Sequence, residues 1–264
     1  MNTFLSKVSL CTGLLLVSVF GITLAQDTNE NQAVRSYVLT TDQTQSIEIP
    51  NQGAQENTTH TVITLDVSRI GQHEYAVQFT NIESSRAGSS ADSLIGLRAT
   101  LTLDEKGDIT ESSGLDGNAY VSGSGGVASM EEILQGLFLV MPEVHLEPGV
   151  SWTRSVDIPS EQNGLKLART TDETFKCERI TDFEGAKVFE VSASNKVSLT
   201  GGGNQGGQEV DVDIEGKLTA TLLVDVTTGL IVHSENTGKM QGFIGLPTAS
   251  LPVTMSIEGS LIRK

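Results

Sequence analysis

From Ala33 onwards, apolar and polar residues alternate along most of this chain, and that period of two restricts the fold more than any other feature. Successive side chains of a β-strand point to opposite faces, so alternation is typical of strands with one buried and one hydrated face. Antiparallel sheets commonly have this arrangement. The sequence therefore predicts a mainly β protein built on a strongly curved antiparallel sheet, or half-barrel.

A short internal repeat predicts how the sheet is divided. Residues 97–104 (Leu-Arg-Ala-Thr-Leu-Thr-Leu-Asp) match residues 218–225 (Leu-Thr-Ala-Thr-Leu-Leu-Val-Asp), and a glycine follows each copy. Tight turns favour aspartate and glycine, so each copy predicts a hairpin. We interpret the repeat as two similar β halves, at about 34–114 and 171–263. The competing interpretation is chance similarity between two alternating hairpins.

Between these halves, residues 129–141 have a helical pattern. Ser129 and Glu132 have the spacing of a capping box at a helix N-terminus. Apolar residues then recur every three or four positions, at Met130, Ile133, Leu134, Leu137, Phe138 and Met141. The second part is apolar on nearly every side, which is typical of a buried helix, and Pro142 ends the pattern. We expect a buried helix at 129–141, packed against the curved sheet.

The N-terminal residues have the pattern of a secretory signal peptide. Lys7 gives a positive start, residues 8–24 are almost all apolar or small, and Thr23-Leu24-Ala25 offers a cleavage site. A retained membrane segment is the alternative, because a bilayer span needs ~17–25 apolar residues. We expect an exported protein, periplasmic or extracellular, that meets a membrane only through an uncleaved signal segment. The predicted parts are a signal peptide (1–25), a flexible tail (26–33) and a single curved-sheet domain (34–264).

Charge and cysteine content narrow the classes of partner. The net charge of −16 disfavours nucleic-acid binding, because an acidic surface repels a phosphate backbone. Signal cleavage would leave only Cys177, so no intramolecular disulfide would form and stability would depend on core burial. Because Cys177 alternates in phase with Phe175, we predict a buried apolar cysteine.

No residue pattern indicates a catalytic or metal site. The histidines are His60, His73, His145 and His233. They lack the spacing of metal ligands, and a single cysteine cannot complete a zinc site. Asp211, Asp213 and Glu215 alternate along one strand and lack the tight turn that folds ligands around calcium. We predict no enzyme, no catalytic residue, no metal and no cofactor, with a hydrolase as the least favoured alternative.

The segment after the predicted helix resembles a known family. Pro148-Gly149-Val150-Ser151-Trp152 follows the helix, and Asp225-Val226-Thr227-Thr228-Gly229 gives a late hairpin motif. With the apolar helix, these motifs resemble a bacterial family of exported β-rich proteins of unknown function, over most of residues 34–263. The layout is also similar to the periplasmic lipoprotein-carrier and lipid-carrier folds. That resemblance implies a curved sheet wrapped around a helix and an apolar cavity, and it transfers no known site residue.

Two functions are open on this sequence. The first is a protein that binds or carries an apolar small molecule or lipid outside the cytoplasm. Its candidate lining is Leu134, Leu137, Phe138, Met141 and Trp152. Core packing explains the same residues, and a carrier would need an empty apolar cavity on the order of a few hundred Å³. The second function is that of a non-enzymatic structural or interaction protein of the cell envelope. The sequence does not predict the oligomeric state.

Overall fold

The computed structural model describes residues 34–50, 52–85, 94–115, 119–121, 127–162, 164–205, 207–227 and 229–264. The predicted signal peptide (1–25) and tail (26–33) lie outside these residues. Within the described ranges, no helix is both long enough and apolar enough to cross a membrane.

Most described residues lie in β-strands, as the alternation predicts. The strands are β1 (Arg35–Ile49), β2 (Gly53–Arg69), β3 (Glu74–Ser84), β4 (Arg98–Leu103), β5 (Ile109–Ser113), β6 (Ala119–Val121), β7 (Val127–Ser129), β8 (Ser151–Gln162), β9 (Leu165–Phe183), β10 (Ala186–Gln205), β11 (Gln208–Asp225), β12 (Ile231–Leu246) and β13 (Ala249–Arg263). One short helix, α1 (Met130–Gln135), is present among the described residues.

Eleven of these strands form one antiparallel sheet. Their order is β5-β4-β3-β2-β1-β13-β12-β11-β10-β9-β8, and β6 pairs with β7 in a separate ribbon. Neighbours in the sheet are consecutive in the chain except at one place, where β1 pairs with β13. There Tyr37 lies opposite Arg263, and Ile47 lies opposite Val253. Among the described strands β5 and β8 are the two edges, so the sheet is open.

One face of the sheet forms the core. Inward-pointing residues of β11, for example, are at most 8% exposed: Val210, Val212, Ile214, Leu218, Ala220, Leu222 and Val224. Burying apolar area at roughly 25 cal/mol per Å² is the main term that stabilises such a sheet. Cys177 belongs to this inner face and is buried with a free thiol, as predicted. The outer face carries the polar residues of the same strands.

The two predicted hairpins are present and share local details. β4 pairs with β5 and β11 pairs with β12, and each pair has one register shift next to its turn. In both turns an aspartate side chain accepts a backbone N–H. Asp104 Oδ1 accepts from Asp108 at 2.9 Å, and Asp225 Oδ1 accepts from Thr227 at 2.9 Å. The sequence repeat therefore encodes the same turn chemistry twice.

The prediction of two similar halves is not supported. The β4–β5 hairpin lies at an edge of the sheet, whereas β11 and β12 lie in its middle. The strands instead form two runs of consecutive antiparallel strands, β1 to β5 and β8 to β13. The pairing of β1 with β13 joins them into one sheet. A repeat of one hairpin fixes local geometry, but strand order depends on pairings between residues far apart in the chain.

The predicted helix at 129–141 is wrong in length, because α1 spans only Met130–Gln135. The next three N–H groups, from Gly136 to Phe138, donate to carbonyls three residues back at 3.0–3.2 Å, which is turn geometry. Glycine costs about 1 kcal/mol relative to alanine inside a helix, so Gly136 favours this ending. The side chains of Leu134, Leu137, Phe138 and Leu139 are nevertheless buried, so the apolar run reflects burial more than helix.

Candidate functional site

The five residues predicted to line an apolar cavity all contact the core. Leu134, Leu137 and Phe138 are buried, and Met141 and Trp152 are partly buried. The Phe138 ring meets Tyr75 edge-on with 5.2 Å between ring centroids, and the Trp152 ring stacks on Phe175 at the same distance. Each aromatic ring thus already has a protein partner. Their role in ligand binding stays a prediction.

The same segment ties the two edges of the sheet together. Gln135 Oε1 accepts from the Ile109 N–H of β5 at 2.9 Å, and the Met141 N–H donates to the Lys106 carbonyl at 2.9 Å. From the other edge, Trp152 Nε1 of β8 donates to the Val140 carbonyl at 2.8 Å. Residues 130–141 therefore connect β5 to β8, which gives their apolar side chains a structural role.

A cluster of charged residues lies on the inner face beside this connection. Arg154 of β8 has Nη2 2.5 Å from Asp108 Oδ1 and Nη1 3.9 Å from Glu173 Oε2. Asn195 Nδ2 donates to Glu173 Oε1 at 3.4 Å. Asp108 belongs to the β4–β5 turn at one edge of the sheet, and Glu173 belongs to β9 near the other edge. Arg154 therefore contacts residues from both edge regions.

Burial controls the protonation of this inner cluster. Glu173 is only 4% exposed, and burial raises its pKa to about 7 although Arg154 lowers it. Burial also raises the pKa of Asp108, against the opposing effect of Arg154. A carboxyl that titrates near neutrality can serve as a general acid or base. Here it lies inside the sheet against two arginines and an asparagine, and no described group of three or more His, Cys, Asp or Glu residues can hold a metal ion.

The outer face carries a groove with a volume of about 1110 Å³, which we call the lysine groove. Its lining comes from seven neighbouring strands, β2, β1, β13, β12, β11, β10 and β9. Hydroxyl side chains form much of the wall: Thr44, Ser46, Thr174, Ser194, Thr254 and Ser256. Ligand sites typically have volumes of roughly 300–1,000 Å³, so the lysine groove is large enough for a small molecule or a polymer segment.

Three lysines lie side by side in this groove. Lys196 of β10 is directly opposite Lys217 of β11, and Lys217 is directly opposite Lys239 of β12. Adjacent strands are ~4.8 Å apart, so the lysine row spans ~10 Å across the sheet. Like charges in directly opposed positions destabilise a sheet. The two lysine–lysine pairs are therefore a local cost to stability.

Three carboxylates near the row form no close ion pair with it. Glu56, Asp172 and Glu215 also line the groove, on three different strands. Within the described part of the chain, none of them lies within the 4.0 Å ion-pair distance of a row lysine. Some lysines elsewhere on the surface do have such a partner, since Lys106 pairs with Glu143 at 2.8 Å and Lys187 with Asp182 at 2.8 Å.

Glycine allows the strands to meet closely in the floor of the groove. A Cβ atom at Gly216 would lie 2.2 Å from the Lys239 carbonyl oxygen and 2.5 Å from Met240 Cγ. Only glycine fits at this point between β11 and β12. Glycine inside a strand often accompanies the close approach of another backbone or of a ligand.

A second depression of about 710 Å³ adjoins the lysine groove along the strands. Its charged lining residues are Asp42, Glu235 and Glu258, and His60 Nδ1 lies 2.7 Å from Asp42 Oδ1 at its margin. On the outer face, the groove with three lysines and three carboxylates therefore lies next to a depression whose charged lining residues are all acidic.

Sequence reasoning did not identify the lysine row, because its members are far apart in the chain. A signal does exist in the β10–β11 hairpin. Lys196 and Lys217 lie at equal distances along the chain from Gln205 and Gln208, the pair that closes this turn. Placing the turn correctly would have predicted that these two lysines are opposed.

No protein-family model matches the chain, and no curated protein sequence matches it. Among solved structures, the hypothetical lipoprotein YmcC from Escherichia coli aligns at 14% identity and a TM-score of 0.27, covering 88% of this chain and 89% of that one. Neisserial surface protein A aligns at 9% identity and a TM-score of 0.24, covering 88% and 99%. The attachment invasion locus protein Ail of Yersinia pestis aligns at 5% identity and a TM-score of 0.19, covering 88% of this chain and 100% of that one. TM-scores of this size do not establish a shared fold.

Proposed function

We propose that this chain is an exported, non-enzymatic binding protein of the cell envelope and that the lysine groove is its binding surface. The main support is the row of three opposed lysines, which line a groove of about 1110 Å³. Among the described residues these lysines have no ion-pair partner. The signal-peptide pattern of residues 1–25 supports export. A surface built for binding accounts for charges that cost the fold stability.

The inner charged cluster supports binding over catalysis. Arg154 contacts both Asp108 and Glu173, so both carboxyl groups have a partner within the protein. Glu173 is buried within the sheet, whereas a catalytic carboxyl needs access to substrate. We assign this cluster to holding the sheet edges together.

A second candidate function is the carrier of an apolar small molecule or lipid. It is favoured by the partial burial of Met141 and Trp152, which lie at the margin of the apolar segment. In that case the ligand would reach the core near Val140 instead of the outer face.

The proposal is tested with the full-length protein purified gently from its own host and weighed by native mass spectrometry. Ser256→Trp places a large ring in the lysine groove, where Ser256 lies opposite Lys239. Thr200→Trp is the matched control, because Thr200 is exposed on the same face and outside both depressions. Tryptophan is well tolerated in strands, so both variants should fold.

We expect a bound species on the wild type that Ser256→Trp loses and Thr200→Trp retains. A lipid mass retained by both variants would instead support the apolar carrier. A wild-type protein that carries no bound species under these conditions would contradict both candidates.

A further inference from the structure

The charge pattern of the lysine groove indicates the chemical class of its ligand. Lysine ammonium groups are compact positive charges with three N–H donors each, and they bind phosphate well. Three of them in one row present cationic donors over ~10 Å. A single small anion reaches only part of that length, whereas linked anionic groups can contact all three lysines.

We propose that the lysine row binds a ligand with two or more linked phosphate or sulfate groups, an inference that rests on the proposed function. Such a ligand places negative charge between neighbouring ammonium groups and turns their mutual repulsion into attraction. The protein as a whole has a net charge of −16, so this row is an exception on an acidic molecule. Long-range repulsion would then disfavour anions that do not fit the row.

The two ends of the lysine row have different neighbours. At the β12 end, Ser256 lies opposite Lys239 and Thr44 lies opposite Ser256, so hydroxyl donors continue the row. At the β10 end, Asp172 lies opposite Lys196 and accepts a hydrogen bond from Ser155 Oγ at 2.8 Å. The carboxylate repels a ligand anion there. The structure therefore assigns the anionic groups to Lys217, Lys239 and Ser256 more than to Lys196.

Neighbouring carboxylates limit which anions fit. Glu215 is two residues before Lys217 on the same face of β11, and Glu56 lies at the far side of the groove on β2. A bulky polyanion that covered the whole groove would meet both. A short oligophosphate or the phosphorylated end of a larger molecule would meet mainly lysines and hydroxyls.

The experiment measures binding of inorganic tripolyphosphate and of orthophosphate to the full-length protein by isothermal titration calorimetry. The variants are Lys217→Gln, Lys239→Gln and the triple change Lys196→Gln/Lys217→Gln/Lys239→Gln. Lys166→Gln is the matched control, since Lys166 is exposed on the outer face of β9 and outside the groove. Circular dichroism confirms that each variant retains the β fold.

We expect tripolyphosphate to bind about tenfold or more tightly than orthophosphate, because more charge-assisted hydrogen bonds form. Lys217→Gln and Lys239→Gln should each weaken tripolyphosphate binding about tenfold. Lys166→Gln should leave the binding unchanged, and the triple variant should abolish it. Lys217→Arg should retain binding, because it keeps the positive charge.

A flotation assay with phosphatidylcholine vesicles containing phosphatidylglycerol identifies the source of the phosphate. Lysine-dependent flotation would assign the anionic groups to a membrane surface, and binding confined to tripolyphosphate would assign them to a soluble molecule. Equal binding of both probes by the wild type and the folded triple variant would overturn the inference, as would no binding of either probe. If Ser256→Trp still displaces the host-derived species in that case, the proposed function stands without the oxyanion assignment.

Discussion

The two faces of this sheet use charge in opposite ways. On the inner face, Arg154 joins Asp108 and the buried Glu173 in a partly buried cluster of opposite charges. On the outer face, Lys196 and Lys217 are opposed like charges in an open groove. The two faces meet on β9 and β10, where Glu173 and Asn195 point inward and their chain neighbours Asp172 and Lys196 point outward.

The charged residues of the inner face therefore stabilise the fold, whereas the opposed lysines of the outer face destabilise it. A buried ionisable group persists in a fold only when it is paired or neutralised, which is the situation of Glu173 beside Arg154. An exposed row of like charges is weakly destabilising, so its presence calls for a ligand as explanation. Substitutions on the inner face should therefore change stability, and those on the outer face should mainly change binding.

The largest effect is expected for Phe138→Ala on the inner face. Phe138 is buried against Tyr75, and a buried Phe→Ala change typically costs about 3–5 kcal/mol of unfolding free energy. Phe243→Ala is the control, because Phe243 is 42% exposed on the outer face of β12 and should lose less than about 1 kcal/mol. Urea unfolding measures both. A loss for Phe138→Ala no larger than the control would indicate that the ring faces an unfilled cavity, as the carrier hypothesis requires.

The next effect concerns Glu173 and pH. Its pKa is about 7 in the folded protein and 4.5 for an ordinary glutamate, so between these pH values the folded state binds more protons than the unfolded chain. The free energy of unfolding should therefore fall by about 3 kcal/mol as pH rises from about 4.5 to 7, and this contribution should stay lost above pH 7. Glu173→Gln cannot ionise, so it should remove this part of the pH dependence.

Urea unfolding of Glu173→Gln at several pH values checks the prediction. The variant should match the wild type near pH 4.5 and exceed it by about 3 kcal/mol near pH 8. If the unfolding free energies of wild type and Glu173→Gln changed in parallel with pH, the ionisation of Glu173 would not destabilise the fold. That result would contradict the effect expected from its burial.

Alternation made the two faces predictable from the sequence, and the hairpin repeat made two turns predictable. The strand order was not predictable, since β1 and β13 pair across almost the whole described chain. Glu173 escaped notice because alternation marks a face as buried without showing which charged residues share it. The helix was overextended because a buried apolar run satisfies helical spacing whether or not the backbone is helical.

A smaller effect is expected at the connection between the sheet edges. Trp152→Phe keeps the stacking on Phe175 and removes the donor to the Val140 carbonyl, which should cost about 1 kcal/mol. Hydrogen exchange should become faster mainly in residues 133–141, because this bond ties them to β8. Uniformly faster exchange throughout the sheet would mean that the bond supports the fold as a whole and not the connection.

The smallest effect has the opposite sign and concerns Lys217, which has a lysine on each side. Lys217→Gln removes two repulsive contacts and should raise the unfolding free energy by about 0.5 kcal/mol, while Lys166→Gln should be neutral. At about 1 M salt the gain should disappear, because the Debye length falls to about 3 Å. Thermal unfolding at low and high salt measures this difference. A residue kept for binding should show this combination of higher stability and weaker anion binding when it is replaced. A loss of stability at low salt would instead mean that Lys217 has a partner in the fold. The row would then no longer stand out as a binding site.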